Sequence, residues 1–300
     1  MRVTIPLLIA VSLCLTSFAF CGPARHVLLI SVDGLRPDAL MQADAPVIKS
    51  LMKRGAYSLE AQTTLPSVTL TSHTSMMTGV PPLRHHVLWN DWQPEKGRIE
   101  TQTIFDVAKA AGLTTAMFAG KDKFRHFEIP GRFDEFSVPG YPCQVVADAA
   151  VRCIVERQPA LIMVHLAEPD GAGHSKGWMG PEYMEAIARA DRAVGRLLAA
   201  LDSAKIADST AIIVSADHGG HEHTHGSAMA VDMTIPWIAA GAGVRAVGKL
   251  RPGIVTTDTA ATVVALLGLA VPATWEGRPV TAALEPVSAS ARERSAAAAR

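Results

Sequence analysis

His26-Val27-Leu28-Leu29-Ile30-Ser31-Val32-Asp33-Gly34 is a nearly unbroken apolar run that stops on an aspartate and a glycine. A strand with one wet face alternates polar and apolar residues, so a run of this kind belongs to a strand buried on both faces. Similar runs follow at 114–119, 160–166, 211–216 and 236–240. Between them lie helical stretches at 45–54, 103–111, 181–201 and 257–267, and Gly55, Gly112 and Gly268 stop three of the four. This alternation predicts an α/β fold, a three-layer αβα sandwich around a mostly parallel central sheet.

Composition narrows the classes of function. The 300 residues carry 28 basic and 28 acidic side chains. With no net charge, nothing steers the chain toward nucleic acid as a specific partner or toward an anionic membrane. A hydrophobic content of 49% fills one sizeable core. No internal repeat is visible.

The N-terminus reads as a separate unit. Met1-Arg2 is a charged start, Ile5 to Phe20 is apolar but short for a membrane span, and Ser17-Phe18-Ala19 has the small-x-small form of a cleavage site. A signal peptide over 1–24 is expected, followed by a catalytic domain over 25–285 and a disordered tail over 286–300 rich in alanine and serine. The protein is then exported to the periplasm or secreted, with no transmembrane span after cleavage. Bulky Phe20 before Cys21 argues against a lipoprotein anchor. Cys143 and Cys153 read better as two buried thiols than as a catalytic pair, although an oxidising compartment permits their disulfide.

Four short segments carry metal-ligand chemistry. They are Ser31-Val32-Asp33-Gly34, Glu168-Pro169-Asp170-Gly171-Ala172-Gly173-His174, Asp217-His218-Gly219 and His225-Gly226. Asp33, Asp170 and Asp217 each follow a predicted strand closely, which brings three carboxylates to one sheet edge, where ligands bind in such folds. Crowded there, they repel one another unless cations neutralise them. Aspartate with histidine is a donor set suited to a catalytic divalent transition metal. Thr69, in Val68-Thr69-Leu70-Thr71-Ser72-His73, offers a hydroxyl that would complete the set.

On Glu168-Pro169-Asp170-x-x-Gly173-His174, Ser215-Ala216-Asp217-His218-Gly219-Gly220 and the segment Thr69 to Gly79, the chain resembles the alkaline phosphatase superfamily. Within it, the resemblance is to the type I phosphodiesterase/nucleotide pyrophosphatase-like branch, from about His26 to Val280. It implies two Zn2+, or other divalent ions. One would take Asp170, His174 and His225, and the other Asp33, Asp217, His218 and the Thr69 oxygen. His221 and His223 stay open as alternatives to His225. The resemblance also implies Thr69 as nucleophile of a two-step hydrolysis through phosphothreonine, and Asn90 as a donor to a phosphate oxygen.

Substrate class is less defined. Lys121, in Ala119-Gly120-Lys121-Asp122-Lys123, is expected at the site edge, where it resembles the lysine clamp of some monoester-hydrolysing relatives. A small-molecule phosphomonoester is therefore the expected substrate, with a phosphodiesterase or nucleotide pyrophosphatase as the alternative. A secreted metal-binding protein without catalysis is the alternative of another class. Trp89, Trp92, Phe124, Phe127, Phe133, Phe136 and Tyr141, in two long loops, either wall a pocket or pin the loops to the core.

Overall fold

The structure, a computed structural model, describes residues 24–286. All but one residue of the expected leader, Cys21 included, and all but one of the expected tail lie outside the described residues. Ala24 is buried and donates its N–H to Leu266 O, so it is part of the packed unit.

Eight strands form one sheet: β1 (His26–Val32), β2 (Ala56–Gln62), β3 (Thr115–Ala119), β4 (Glu135–Ser137), β5 (Leu161–Leu166), β6 (Thr210–Ser215), β7 (Thr234–Gly241) and β8 (Gly248–Lys249). Their order is β4-β3-β5-β1-β6-β7-β2-β8. Strand β1 lies at the centre, parallel to β5 and β6, in registers that set Val32 beside Leu166 and Ser31 beside Ser215. Every residue of β3, β5 and β6 is buried, as an apolar run without alternation requires.

One strand departs from the parallel rule. Strand β7, one of the apolar runs in a sheet expected to be mostly parallel, pairs antiparallel with both β6 and β2. Its buried apolar composition carries no sign of direction, because direction is set by the connection that precedes the strand. That connection carries His218 to Met233 back over the sheet edge rather than through a crossover helix.

Helices cover both faces. Those at Thr69–Thr78, Ile104–Ala110 and Thr257–Leu266 pack together on one side, and those at Pro46–Arg54, Cys143–Arg157, Glu168–Lys176 and Pro181–Ser203 on the other. Asp191 of the longest helix is buried and accepts the Val47 and Ile48 N–H groups at 3.1 and 2.7 Å, capping the helix that starts at Pro46. Among the described residues no helix is long and apolar enough to cross a membrane.

Candidate active site

Four neighbouring parallel strands end at the same edge, and each delivers one charged side chain just past its last residue. Strand β3 leads to Lys121, β5 to Asp170, β1 to Asp33 and β6 to Asp217. Gly34 makes the tight turn after Asp33, at φ +70°, and its N–H donates to Asp217 Oδ1 at 3.1 Å. A Cβ at Gly34 would meet Asp170 Cα at 3.0 Å. Gly34→Ala is therefore expected to destabilise the fold by about 1–2 kcal/mol and to weaken metal uptake, read by urea unfolding and zinc titration. An unchanged midpoint with normal uptake would count against this turn as a constraint on the site.

The carboxylates surround one imidazole. His218 Nε2 lies 3.3 Å from Asp33 Oδ1, 3.3 Å from Asp217 Oδ2 and 3.8 Å from Asp170 Oδ1. Asp33, Asp217 and His218 form one group whose donor atoms lie within 4.8 Å of one another, and Asp170, His218 and His225 form a second. Asp33 Oδ1, Asp170 Oδ1, Asp217 Oδ2, His218 Nε2 and Thr69 Oγ1 are all buried with no hydrogen-bond partner among the described residues. Buried polar atoms are almost always paired, so the four orphans of Asp33, Asp170, Asp217 and His218 in one edge cluster fit cations as the missing partners.

The three later histidines separate clearly. His225 donates Nδ1–H to Ser67 O at 2.8 Å, which leaves Nε2 3.5 Å from Asp170 Oδ1, and its ring stacks on His218 at 3.6 Å. His221 points away, with Nδ1 on Asp232 Oδ1 at 2.7 Å. His223 is exposed and donates Nδ1–H to His174 O at 3.0 Å. His174 in turn donates Nδ1–H to His223 O at 2.9 Å, leaving its Nε2 3.4 Å from Asp170 Oδ1. His174 is thus beside the cage and more open to solvent than the others. The compact groups share His218 instead, a difference from the expected division of ligands.

Crowding of charge shows in the titration of these groups. Burial works to raise Asp33 and Asp170, and Asp33 raises Asp170 further, but Lys121 and the neighbouring imidazoles outweigh this and hold both carboxyls low. For Asp217 the balance goes the other way: burial and repulsion from Asp33 outweigh the pull of His218, Lys121 and His165 and push it up to about 7. Burial opposes protonation of His218, yet Asp217, Asp33 and Asp170 push it up to about 9. The metal-free cage therefore carries protons where cations would sit.

Thr69 opens the helix Thr69–Thr78 at its first position, with Val68 as the N-cap. Asn90 Oδ1 accepts the Leu70 N–H at 2.9 Å, which fixes its amide and leaves Nδ2 as a donor. His73 donates Nδ1–H to Thr69 O at 2.7 Å, accepts the Ser31 hydroxyl on Nε2 at 2.8 Å, and lies 3.5 Å from Asp217 Oδ2. Burial, against the pull of Asp33, lowers His73 to about 4 and keeps it neutral.

His165 was not singled out in the sequence. It lies in β5, donates Nε2–H to Asp33 Oδ2 at 2.8 Å and accepts the Gly120 N–H at 3.2 Å. A histidine inside an otherwise apolar strand had to find polar partners somewhere, and that was the available signal.

Lys121 does not wait at the site edge. Its Nζ lies 2.6 Å from Asp33 Oδ2 and 2.6 Å from Asp170 Oδ2. Lys123 stands behind it, its pKa lowered by burial and by Lys121. Most loop aromatics act as pins. Phe124 and Phe127 are fully buried, Phe133 packs between Phe105 and Phe136, and Trp89 and Trp92 both pack edge-on to buried His126. Tyr141 differs: it is exposed and fills the space that a Cβ on Gly171 would take, beside Asp170. Cys143 and Cys153 are free, buried and on one helix, ten residues and about 15 Å of rise apart, so they cannot bridge.

The family model described as type I phosphodiesterase / nucleotide pyrophosphatase matches residues 27–233. Human ectonucleotide pyrophosphatase/phosphodiesterase family member 1 is 28% identical over 217 residues, which are 64% of this chain and 23% of the relative. Human family member 5 is 27% identical over 227 residues, 68% of this chain and 46% of the relative. The chain thus spans less than half the length of these curated relatives. Among solved structures, an inactive variant of murine family member 5 in complex with AMP superposes with a TM-score of 0.74 at 17% identity, over 87% of this chain and 100% of the other. A 2-O GAG sulfatase superposes with a TM-score of 0.68 at 18% identity, over 86% and 73%. These structural matches establish a shared fold. The expected phosphomonoester preference is not favoured, because the matched family is one of diesterases and pyrophosphatases and because the Lys121 ammonium is held between carboxylates rather than free to balance a dianion. The chain belongs to the type I phosphodiesterase / nucleotide pyrophosphatase family.

Proposed function

We propose that the protein is an exported phosphodiesterase or nucleotide pyrophosphatase that uses two divalent ions, zinc by the donor set, and a phosphothreonine intermediate. The observation that carries this reading is the convergence of buried, partnerless donor atoms from Asp33, Asp170, Asp217 and His218 at the strand ends, with the partnerless Thr69 hydroxyl heading the adjoining helix. Asp33, Asp217, His218 and Thr69 would hold one ion, and Asp170, His225 and His174 the other. When bound, the ions neutralise the carboxylates and polarise the oxygens that attack and leave. Export rests on the charged start, apolar run and small-x-small site within residues 1–24. The catalytic domain then covers 25–285.

Each residue has a task in this mechanism. Thr69 Oγ attacks phosphorus in line, forming a phosphothreonine as the bond to the leaving oxygen breaks. Water then cleaves the phosphothreonine from the opposite side and restores Thr69. His73 holds the Thr69 carbonyl and so the pitch of the first turn. Asn90 Nδ2 donates to a phosphoryl oxygen, and its own orientation is set by the Leu70 N–H. The murine relative that is inactive carries alanine for threonine and holds AMP, which supports a threonine-dependent step and a nucleotide-sized substrate here.

A nitrophenyl phosphate monoester measured beside its bis-nitrophenyl diester tests the substrate class. The zinc-loaded protein is expected to favour the diester in kcat/KM by about tenfold or more, roughly 1.4 kcal/mol of transition-state discrimination. A monoester preference of that size would restore the phosphomonoesterase reading.

A further inference from the structure

The oxygens of Asp33 and Asp170 divide between two tasks. Oδ1 of each is buried without a partner and lies within 3.8 Å of His218 Nε2, at 3.3 and 3.8 Å. Oδ2 of each is 2.6 Å from Lys121 Nζ. Asp33 Oδ2 also accepts His165 Nε2–H at 2.8 Å, and the same imidazole takes the Gly120 N–H, so the backbone entering Lys121 is tied to the carboxylate it serves. Asp33 and Asp170 belong to different donor groups, and Lys121 spans the two.

We propose that Lys121 is the resident counter-cation of the metal cage. Its ammonium holds the outer oxygen of Asp33 and of Asp170, and the inner oxygen of each is left on the side of His218. It ties the two half-sites together in the metal-free chain, where three buried carboxylates otherwise repel one another. The same positive charge repels every divalent cation that enters. Lys121 therefore stabilises the empty cage and weakens metal binding, two effects of opposite direction on the two states. A lysine acting only as packing would not produce that pair.

The inference rests on the reading of the cage as a metal site, and the test separates the two. Lys121→Met replaces the aliphatic stem with an apolar chain of nearly its length and removes the charge. The zinc-stripped variant is expected to melt about 5 °C or more below stripped wild type. Its zinc affinity, measured by competition with a chromogenic chelator, should rise about tenfold or more. Lys121→Arg should restore most of the metal-free melting temperature. A stripped variant as stable as wild type, or one whose zinc affinity is unchanged or weaker, overturns the inference. If Lys121→Met folds only with zinc and unfolds in chelator while wild type stays folded, the counter-cation role stands. If it fails to fold even with zinc, the role is overturned. Wild-type protein that takes up no zinc would sink the cage reading, and this inference with it.

Discussion

Thr69→Ala is expected to lower turnover of a bis-nitrophenyl phosphodiester by about 10^4-fold or more while the protein keeps its bound metal and its melting temperature. The chemical side of this follows from the position of the hydroxyl, on the first residue of a helix, an end of the helix that favours a phosphate. Nothing else in the cage replaces it as a nucleophile, since the other oxygens are carboxylates committed to cations or to Lys121. The stability side follows from hydrogen bonding. Thr69 Oγ1 is buried with no partner, so deleting it leaves no donor or acceptor newly orphaned. Thr69→Ser, which retains the hydroxyl, should keep a measurable fraction of the rate. Steady-state kinetics with metal analysis on the same samples decide the matter. Normal turnover in Thr69→Ala would sink the nucleophile assignment, and loss of metal along with activity would make Thr69 a ligand first.

The sequence made the strands legible because β1, β3, β5 and β6 are buried on both faces and show it as unbroken apolar runs. The short or half-exposed strands β2, β4 and β8 gave no such signal, and the direction of β7 is a property of its connection rather than of its residues. In the site, Asp33, Asp170, Asp217 and His218 were legible because each sits in a short segment at a strand end. The choice among His221, His223 and His225 was not, because three histidines in five residues differ only in where the loop turns them. The loop turns His225 inward through its bond to Ser67 O, and that partner lies 158 positions away in the chain. Lys121 was legible as a cation near the site but not as one inserted between carboxylates. Its contacts depend on β3 lying beside β5, a fact of sheet order that no local spacing carries.

Stripping the divalent ions is expected to abolish activity and to lower the melting temperature by roughly 5–15 °C. A ligand at 100 to 1,000 times its dissociation constant stabilises by about 2.7–4.1 kcal/mol, and each kcal/mol moves a domain of this size by about 2–4 °C. The fold should survive the loss, because Lys121 and protonated His218 offset part of the carboxylate charge. The same protons compete with metal. With His218 pushed up to about 9 and Asp217 to about 7 in the empty cage, metal uptake must release protons, and affinity falls as pH drops from above 9 through 7. At fixed, limiting zinc the gap in melting temperature between loaded and stripped protein should therefore be wide at pH 9 and narrow at pH 6. Thermal melts with and without chelator at the two values, with diester turnover at the higher one, carry the test. Equal melting temperatures and undiminished turnover after stripping would leave the clustered acids without cations, and their repulsion without a counterpart.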